Sequence, residues 1–252
     1  MRSILAVASF SLFLGLLVST SCTHKEVDTD SPDALYTEAE EAFKDEKYLI
    51  AIERYRDIKN RFPYSTRATD SELRIADAFF EQESFIEAES AYEIFKELHP
   101  THPKGDYVQY RIGLSLHNQI PSNATRDLTA AQRSIDAFEL MVEKFPTSAL
   151  VPKAKELMFE ARKKMAEHEN YVADFYFQRH HYLSATYRYS ALLQEFPNMG
   201  YDEEALFRLG KSYANVQMFD NAKDALKRFV ARFPSSSRRA EAESLIKDMN
   251  KN

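Results

Sequence analysis

The sequence predicts an all-α fold, a curved stack of five helix-hairpin repeats with about ten helices in all and a long helix opening the fourth repeat. Three observations carry that expectation. Five amphipathic stretches close the same way, at Arg61-Phe62-Pro63, Leu98-His99-Pro100, Lys144-Phe145-Pro146, Glu195-Phe196-Pro197 and Arg232-Phe233-Pro234. Small and large apolar residues recur at fixed offsets before each of these prolines. The 252 residues include only five Gly (Gly15, Gly105, Gly113, Gly200, Gly210). So few glycines, with abundant Ala, Glu, Lys and Leu, favour helix over a turn-rich β fold or a glycine-lined phosphate site.

The chain opens on a leader, residues 1–21. Arg2 supplies a short positive start, Ile4 to Val18 form an apolar run, and Ser19, Thr20 and Ser21 precede Cys22, the only cysteine. This is signal-peptide architecture, too short to span a bilayer once its flanks are considered. The small residues before a lone cysteine resemble a bacterial lipobox, whose cysteine is acylated and becomes the mature N-terminus. The departure is Ser19 where that pattern usually has Leu. A plain secretory signal with an incidental cysteine is the alternative. Thr23 follows Cys22 where an Asp would be the inner-membrane signal of enterobacterial sorting rules, so that resemblance points to the outer membrane. Residues 22–34 are polar, without helical periodicity, and read as a tether.

The first repeat places Ala39, Ala51, Tyr55 and Ile58 before Pro63, and the second Ala76, Phe79, Ala88, Tyr92 and Phe95 before Pro100. The fourth gives Ala173, Tyr176, Ala185, Tyr189 and Leu192, and the fifth Leu206, Leu209, Gly210, Tyr213, Ala222, Leu226 and Phe229. These offsets are those of the tetratricopeptide repeat. Small residues let the two helices of a hairpin approach closely, and large ones fill the space between repeats. Proline ends each second helix, because it cannot continue one and disfavours helix in the residue before it.

Two departures mark special regions. In the third repeat Gly113 and Ser134 are 21 apart where the others have 12, and the surplus falls in the polar stretch Asn118–Asp127. The 51-residue spacing from Pro146 to Pro197 exceeds the 37 seen twice elsewhere; the surplus falls in Pro152–His168 and reads as helix, so the first helix of the fourth repeat is expected to run from about Pro152 to Arg179. That helix would divide an N-terminal half, 35–151, from a C-terminal half, 152–252. Asp106 is expected to cap the first helix of repeat three.

Net charge is −6, or −7 without the leader and its Arg2, which disfavours nucleic-acid binding. No P-loop, GxGxxG, GxSxG or HExxH is present. His99 and His102 form H-x-x-H, and His180 and His181 are adjacent, but neither pair has a recognisable third ligand, so no metal, cofactor or catalytic residue is expected.

The segment from His99 to Gly113, HPTHPKGDYVQYRIG, resembles the H/N-P-T-H-P…D-Y…Y…G-L segment of the BamD (ComL) family. Glu169 to Arg179, ENYVADFYFQR, is similar to that family's Y-x-V-A-x-Y-Y pattern, and leader, tether, repeats, insertion and long helix agree with it throughout. The resemblance implies a non-enzymatic lipoprotein scaffold of the outer-membrane β-barrel assembly (BAM) complex, anchored through Cys22 at the periplasmic face and without a cofactor. It implies docking of the C-terminal repeats on a POTRA domain of BamA, with Arg179 and Arg188 at matching positions; two solvated surface arginines are the alternative. It further implies that the N-terminal repeats receive the short, extended, aromatic-ended signals of unfolded outer-membrane β-barrel proteins. Phe62, Tyr64, Phe85, Tyr107 and Tyr110 are the candidates there, each also readable as a packing residue. Other BAM lipoproteins would be further partners. The rival reading is another envelope repeat scaffold, a Tol–Pal or cell-wall synthesis coordinator; a coiled coil before the repeats would favour it, and none is visible.

Overall fold

The computed structural model describes residues 31–250. The leader, Cys22 and most of the 22–34 stretch lie outside the described residues. Eleven α-helices follow one another: α1 (Pro32–Lys44), α2 (Tyr48–Arg61), α3 (Thr66–Glu81), α4 (Phe85–Leu98), α5 (Gly105–Asn118), α6 (Thr129–Lys144), α7 (Val151–Gln178), α8 (Tyr182–Glu195), α9 (Asp202–Asn215), α10 (Phe219–Arg232) and α11 (Arg239–Asp248). The first ten are the five hairpins. The eleventh continues past the last proline, burying Ala242 and packing Leu245 and Ile246 against the final hairpin. It shields an apolar face that a terminal repeat would otherwise expose.

Each helix packs on the next, and α1 also meets α3, α5 meets α7 and α7 meets α9. The first helices of the hairpins therefore line the inner side of the curve. The prolines act as expected. Helices α2, α4, α6, α8 and α10 stop two residues before them, and Phe62, His99, Phe145, Phe196 and Phe233 adopt non-helical φ of −132°, −128°, −130°, −127° and −124°. Close approach within hairpins is visible at two glycines. A Cβ on Gly113 would lie 2.6 Å from the ring of Phe138, and one on Gly210 would lie 2.5 Å from Leu226.

Three details differ from the sequence reading or extend it. α1 opens at Pro32, inside the stretch read as tether, because proline suits the first helical turn, where its missing N–H costs nothing. Asp106 is not the cap: Lys104 holds that position, and Asp106 sits in the first turn, accepting from its neighbour Tyr107 N–H (2.7 Å) and from Ser148 Oγ (2.6 Å) of the loop after α6. The polar insertion is not merely looped out. Ile120, Ala124 and Leu128 close over Ala161 and Met165 of α7, and His168 Nδ1 lies 2.5 Å from the Ala124 carbonyl oxygen.

α7 is 28 residues long, or ~42 Å at 1.5 Å per residue. Val151, Ala154 and Leu157 in its first half complete the core of the third hairpin around Phe138 and Met141. Ala166 and Ala173 in its second half belong to the core of the fourth. One helix thus serves two hairpins in two registers.

Candidate binding surfaces

A four-part joint recurs between hairpins. A carboxylate on the first helix (Glu40, Asp77, Asp174) takes a hydrogen bond from a tyrosine 15 residues on (Tyr55, Tyr92, Tyr189). An arginine 34 residues on, in the next hairpin (Arg74, Arg111, Arg208), meets this pair. The same guanidinium covers a phenylalanine three residues after the carboxylate: Arg74 over Phe43 at 3.8 Å, Arg111 over Phe80 at 3.7 Å, Arg208 over Phe177 at 5.3 Å. The joint is absent between hairpins three and four, where the corresponding residues are Leu114 and Phe138 and the contact is apolar.

Electrostatics follow from this geometry. Burial opposes the charge on Glu40, but hydrogen bonds from Arg74 and Tyr55 outweigh it and hold the carboxyl below its ordinary value. Burial, reinforced by Asp77, pushes the hydroxyls of Tyr92 and Tyr107 far up, so both remain donors at any physiological pH.

On the inner side of the first three hairpins a hollow of about 600 Å³ is lined by Tyr36, Glu40, Arg74, Asp77, Lys104 and Tyr107. Arg74 grips Glu40 through Nε (2.6 Å) and Nη2 (2.8 Å), and Tyr107 donates to Asp77 at 2.8 Å. Lys104 has no ion-pair partner among the described residues, which leaves a free cation beside two aromatic rings.

The five aromatics singled out in the sequence do not converge. Tyr107 lines this hollow. Phe62 packs on the first hairpin's core, Phe85 meets Phe80 edge-on at 5.2 Å, and Tyr110 lies against Phe138 at 5.8 Å. Tyr64 stands fully exposed between α2 and α3. Tyr36, Glu40, Arg74, Asp77 and Lys104 escaped notice, although the 15- and 34-residue spacings of the joints were readable.

Arg179, just after α7, and Arg188, in α8, each lie against a residue of the second half of α7. Arg179 lies 3.9 Å over the ring of Phe175, and Arg188 pairs with Glu169 at 3.2 Å. Both arginines are exposed, as are Phe175 and Tyr171. Among the described residues no group of His, Cys, Asp and Glu could hold a metal ion, and no helix is long and apolar enough to cross a membrane.

Residues 28–227 match the family described as "YfiO: Outer membrane lipoprotein". The chain is 31% identical to "Outer membrane protein assembly factor BamD" of Neisseria meningitidis serogroup A, covering 94% of this chain and 93% of that protein. It is 26% identical to the protein of the same name from Rickettsia prowazekii, over 94% of this chain and 95% of that one. With the Vibrio cholerae protein it shares 27% identity over 74% of this chain and 81% of the relative.

Proposed function

The chain belongs to the YfiO family of outer membrane lipoproteins, which includes the assembly factor BamD, and from that premise we propose that it is a non-catalytic scaffold of the machinery that assembles outer-membrane β-barrels. The observation that carries the reading is the end-to-end relation to BamD, at 94% of one chain and 93% of the other. In this reading Cys22 is acylated and anchors the protein at the periplasmic face of the outer membrane. Residues 152–252 dock on a POTRA domain of BamA through Arg179 and Arg188, and residues 35–151 receive unfolded β-barrel proteins. Other lipoproteins of the complex join the same scaffold.

The substrate role falls on the inner hollow. An extended peptide ending in an aromatic residue and a free carboxylate would find rings at Tyr36 and Tyr107 and a cation at Lys104. Of the five aromatics singled out in the sequence only Tyr107 serves here; Phe62, Phe85 and Tyr110 pack elsewhere and Tyr64 stands apart on the surface. For docking, an arginine fork can take a carboxylate bidentately, and Arg188 is accessible enough to do so.

The test is purification of a C-terminally tagged chain in mild detergent from membranes of the native host, with partners identified by mass spectrometry. Co-recovery of a POTRA-containing barrel protein in near-equal amount, reduced by Arg188→Glu, is expected. Recovery of Tol–Pal or cell-wall enzymes without such a barrel would overturn the assignment. Cys22→Ser should move the protein from the membrane to the soluble periplasmic fraction.

A further inference from the structure

The third and fourth hairpins are held to one another differently from the rest. The carboxylate–tyrosine–arginine joint found at the other three boundaries is missing here. In its place the insertion of the third hairpin lies along the middle of α7, between the two cores that this helix serves. Ile120 and Leu128 at the two ends of the insertion, with Ala131 and Ile135 of α6, cover Ala161 and Met165. Two polar contacts tie the same segment to α7. At its root, His117 Nε2 lies 3.4 Å from a carboxylate oxygen of Glu160, and further along His168 Nδ1 lies 2.5 Å from the Ala124 carbonyl oxygen. Eight residues separate Glu160 from His168, so the two ties stand ~12 Å apart along the helix.

The two histidines respond differently to a proton. His168 turns Nδ1 to a carbonyl acceptor, so that nitrogen carries its hydrogen and is satisfied whether or not the ring is charged. His117 is 18% exposed, and its buried Nδ1 has no hydrogen-bond partner among the described residues. In the neutral ring Nε2–H faces Glu160 and Nδ1 is a bare acceptor. A charged ring has an N–H at both nitrogens and an acceptor for only one of them, and a buried donor without an acceptor is unfavourable. The charges that act on the ring are Glu160 and Lys153, both of α7; Glu160 favours the imidazolium and Lys153 opposes it. No charge on α4 or α6, the other helices packed on α5, acts on it. Burial outweighs Glu160, whose own side chain is half exposed to water.

We propose that His117 is an acid-released latch, which holds residues 118–128 on α7 while its ring is neutral and lets them go when the ring is charged. The backbone carries the effect outward. His117 stands in the last turn of α5, and its carbonyl oxygen accepts from Ile120 N–H at 3.1 Å. A charged ring that swings out to find water for Nδ1 therefore draws Ile120 off Met165, and the apolar cover over Ala161 opens with it. The latch sits at the one boundary between hairpins that lacks the polar joint, so its release loosens the two halves of the array from each other and leaves the other boundaries untouched. A local opening of this kind is the low-energy end of the motions open to a repeat array.

The experiment is amide hydrogen exchange read by mass spectrometry on the full chain in mild detergent, at about pH 7.5 and about pH 5.5, with labelling times corrected for the pH dependence of the chemical step. Peptides covering residues 118–128 and 158–168 should exchange about fivefold faster at the lower pH, and peptides of the first two hairpins should not change. His117→Gln should abolish the step, and His168→Gln should keep it. A segment 118–128 equally protected at both pH values, or a step that survives His117→Gln, would overturn the proposal. Should the glutamine variant stand open at both pH values, a second measurement on the unaltered chain decides. Histidine NMR gives the midpoint at which the His117 ring titrates, and the opening of 118–128 must share it; an opening that follows another histidine refutes the latch.

Discussion

Tyr92→Phe removes one oxygen from the joint between the second and third hairpins and leaves the ring in place. Tyr92 is 0% exposed, donates to Asp77 Oδ1 at 2.6 Å and accepts from Arg111 Nε at 2.8 Å. Hydrogen bonds to charged partners contribute about 1.5–3 kcal/mol each. The partners are not stranded: Asp77 keeps Tyr107 (2.8 Å) and Arg74 (3.3 Å), and Arg111 keeps Glu81 (3.1 Å) and its place over Phe80. The expected loss is therefore about 2–3 kcal/mol rather than the full sum of two bonds. Urea denaturation at 25 °C, followed by circular dichroism and tryptic cleavage between α4 and α5, reads both the magnitude and the place. Arrays of repeats need not unfold in one step, so cleavage at the weakened joint should rise before global unfolding. Tyr64→Phe, on a fully exposed ring, is the control. A loss below about 0.5 kcal/mol would refute the claim that these joints hold the stack together.

Gly210→Ala places a Cβ 2.5 Å from Leu226, which is itself fully buried. Overpacking costs about 1–3 kcal/mol and helix propensity returns about 1, so a net loss is expected in the same urea assay. Acid should act in two windows. Burial holds the His117 imidazole below its ordinary 6.5 despite Glu160 beside it, so its contribution is present above pH 6.5 and lost as pH falls through the lowered value. Glu40 and Glu72, held below 4.5 by partners that outweigh burial, contribute above pH 4.5 and are lost at lower pH. Melting curves of His117→Gln should lose the first step and keep the second. Lys104→Ala should weaken binding of a peptide with a free C-terminal carboxylate about two- to fivefold, the scale of an exposed charge pair, and leave the amidated peptide unchanged; equal effects on both would remove Lys104 from the substrate reading.

Much of the architecture was legible because a repeat array is written in local signals. Phe-Pro and His-Pro endings are decided within two residues, and the offsets of Ala39 and Ala51, or Gly210 and Ala222, describe a helix pair that meets its own neighbour in sequence. The long helix was legible for the same reason, as a surplus between two prolines. The aromatic candidates were harder. Phe62, Phe85, Tyr107 and Tyr110 have similar surroundings in sequence, and only packing separates Tyr107, on the inner hollow, from Tyr110, pressed on Phe138. The eleventh helix carries no proline mark and so had no signal of the kind used for the others.

The sequence by itself determined the repeat and its punctuation, since each depends on residues close together in the chain. Tertiary structure decided which surfaces remain open. Whether Phe175 is buried or exposed depends on whether the third hairpin reaches it, and that is set by the extra turns of α7 and by the insertion, whose Ala124 meets α7 at His168. Burial is a property of distances between segments far apart in sequence, so no local pattern could supply it.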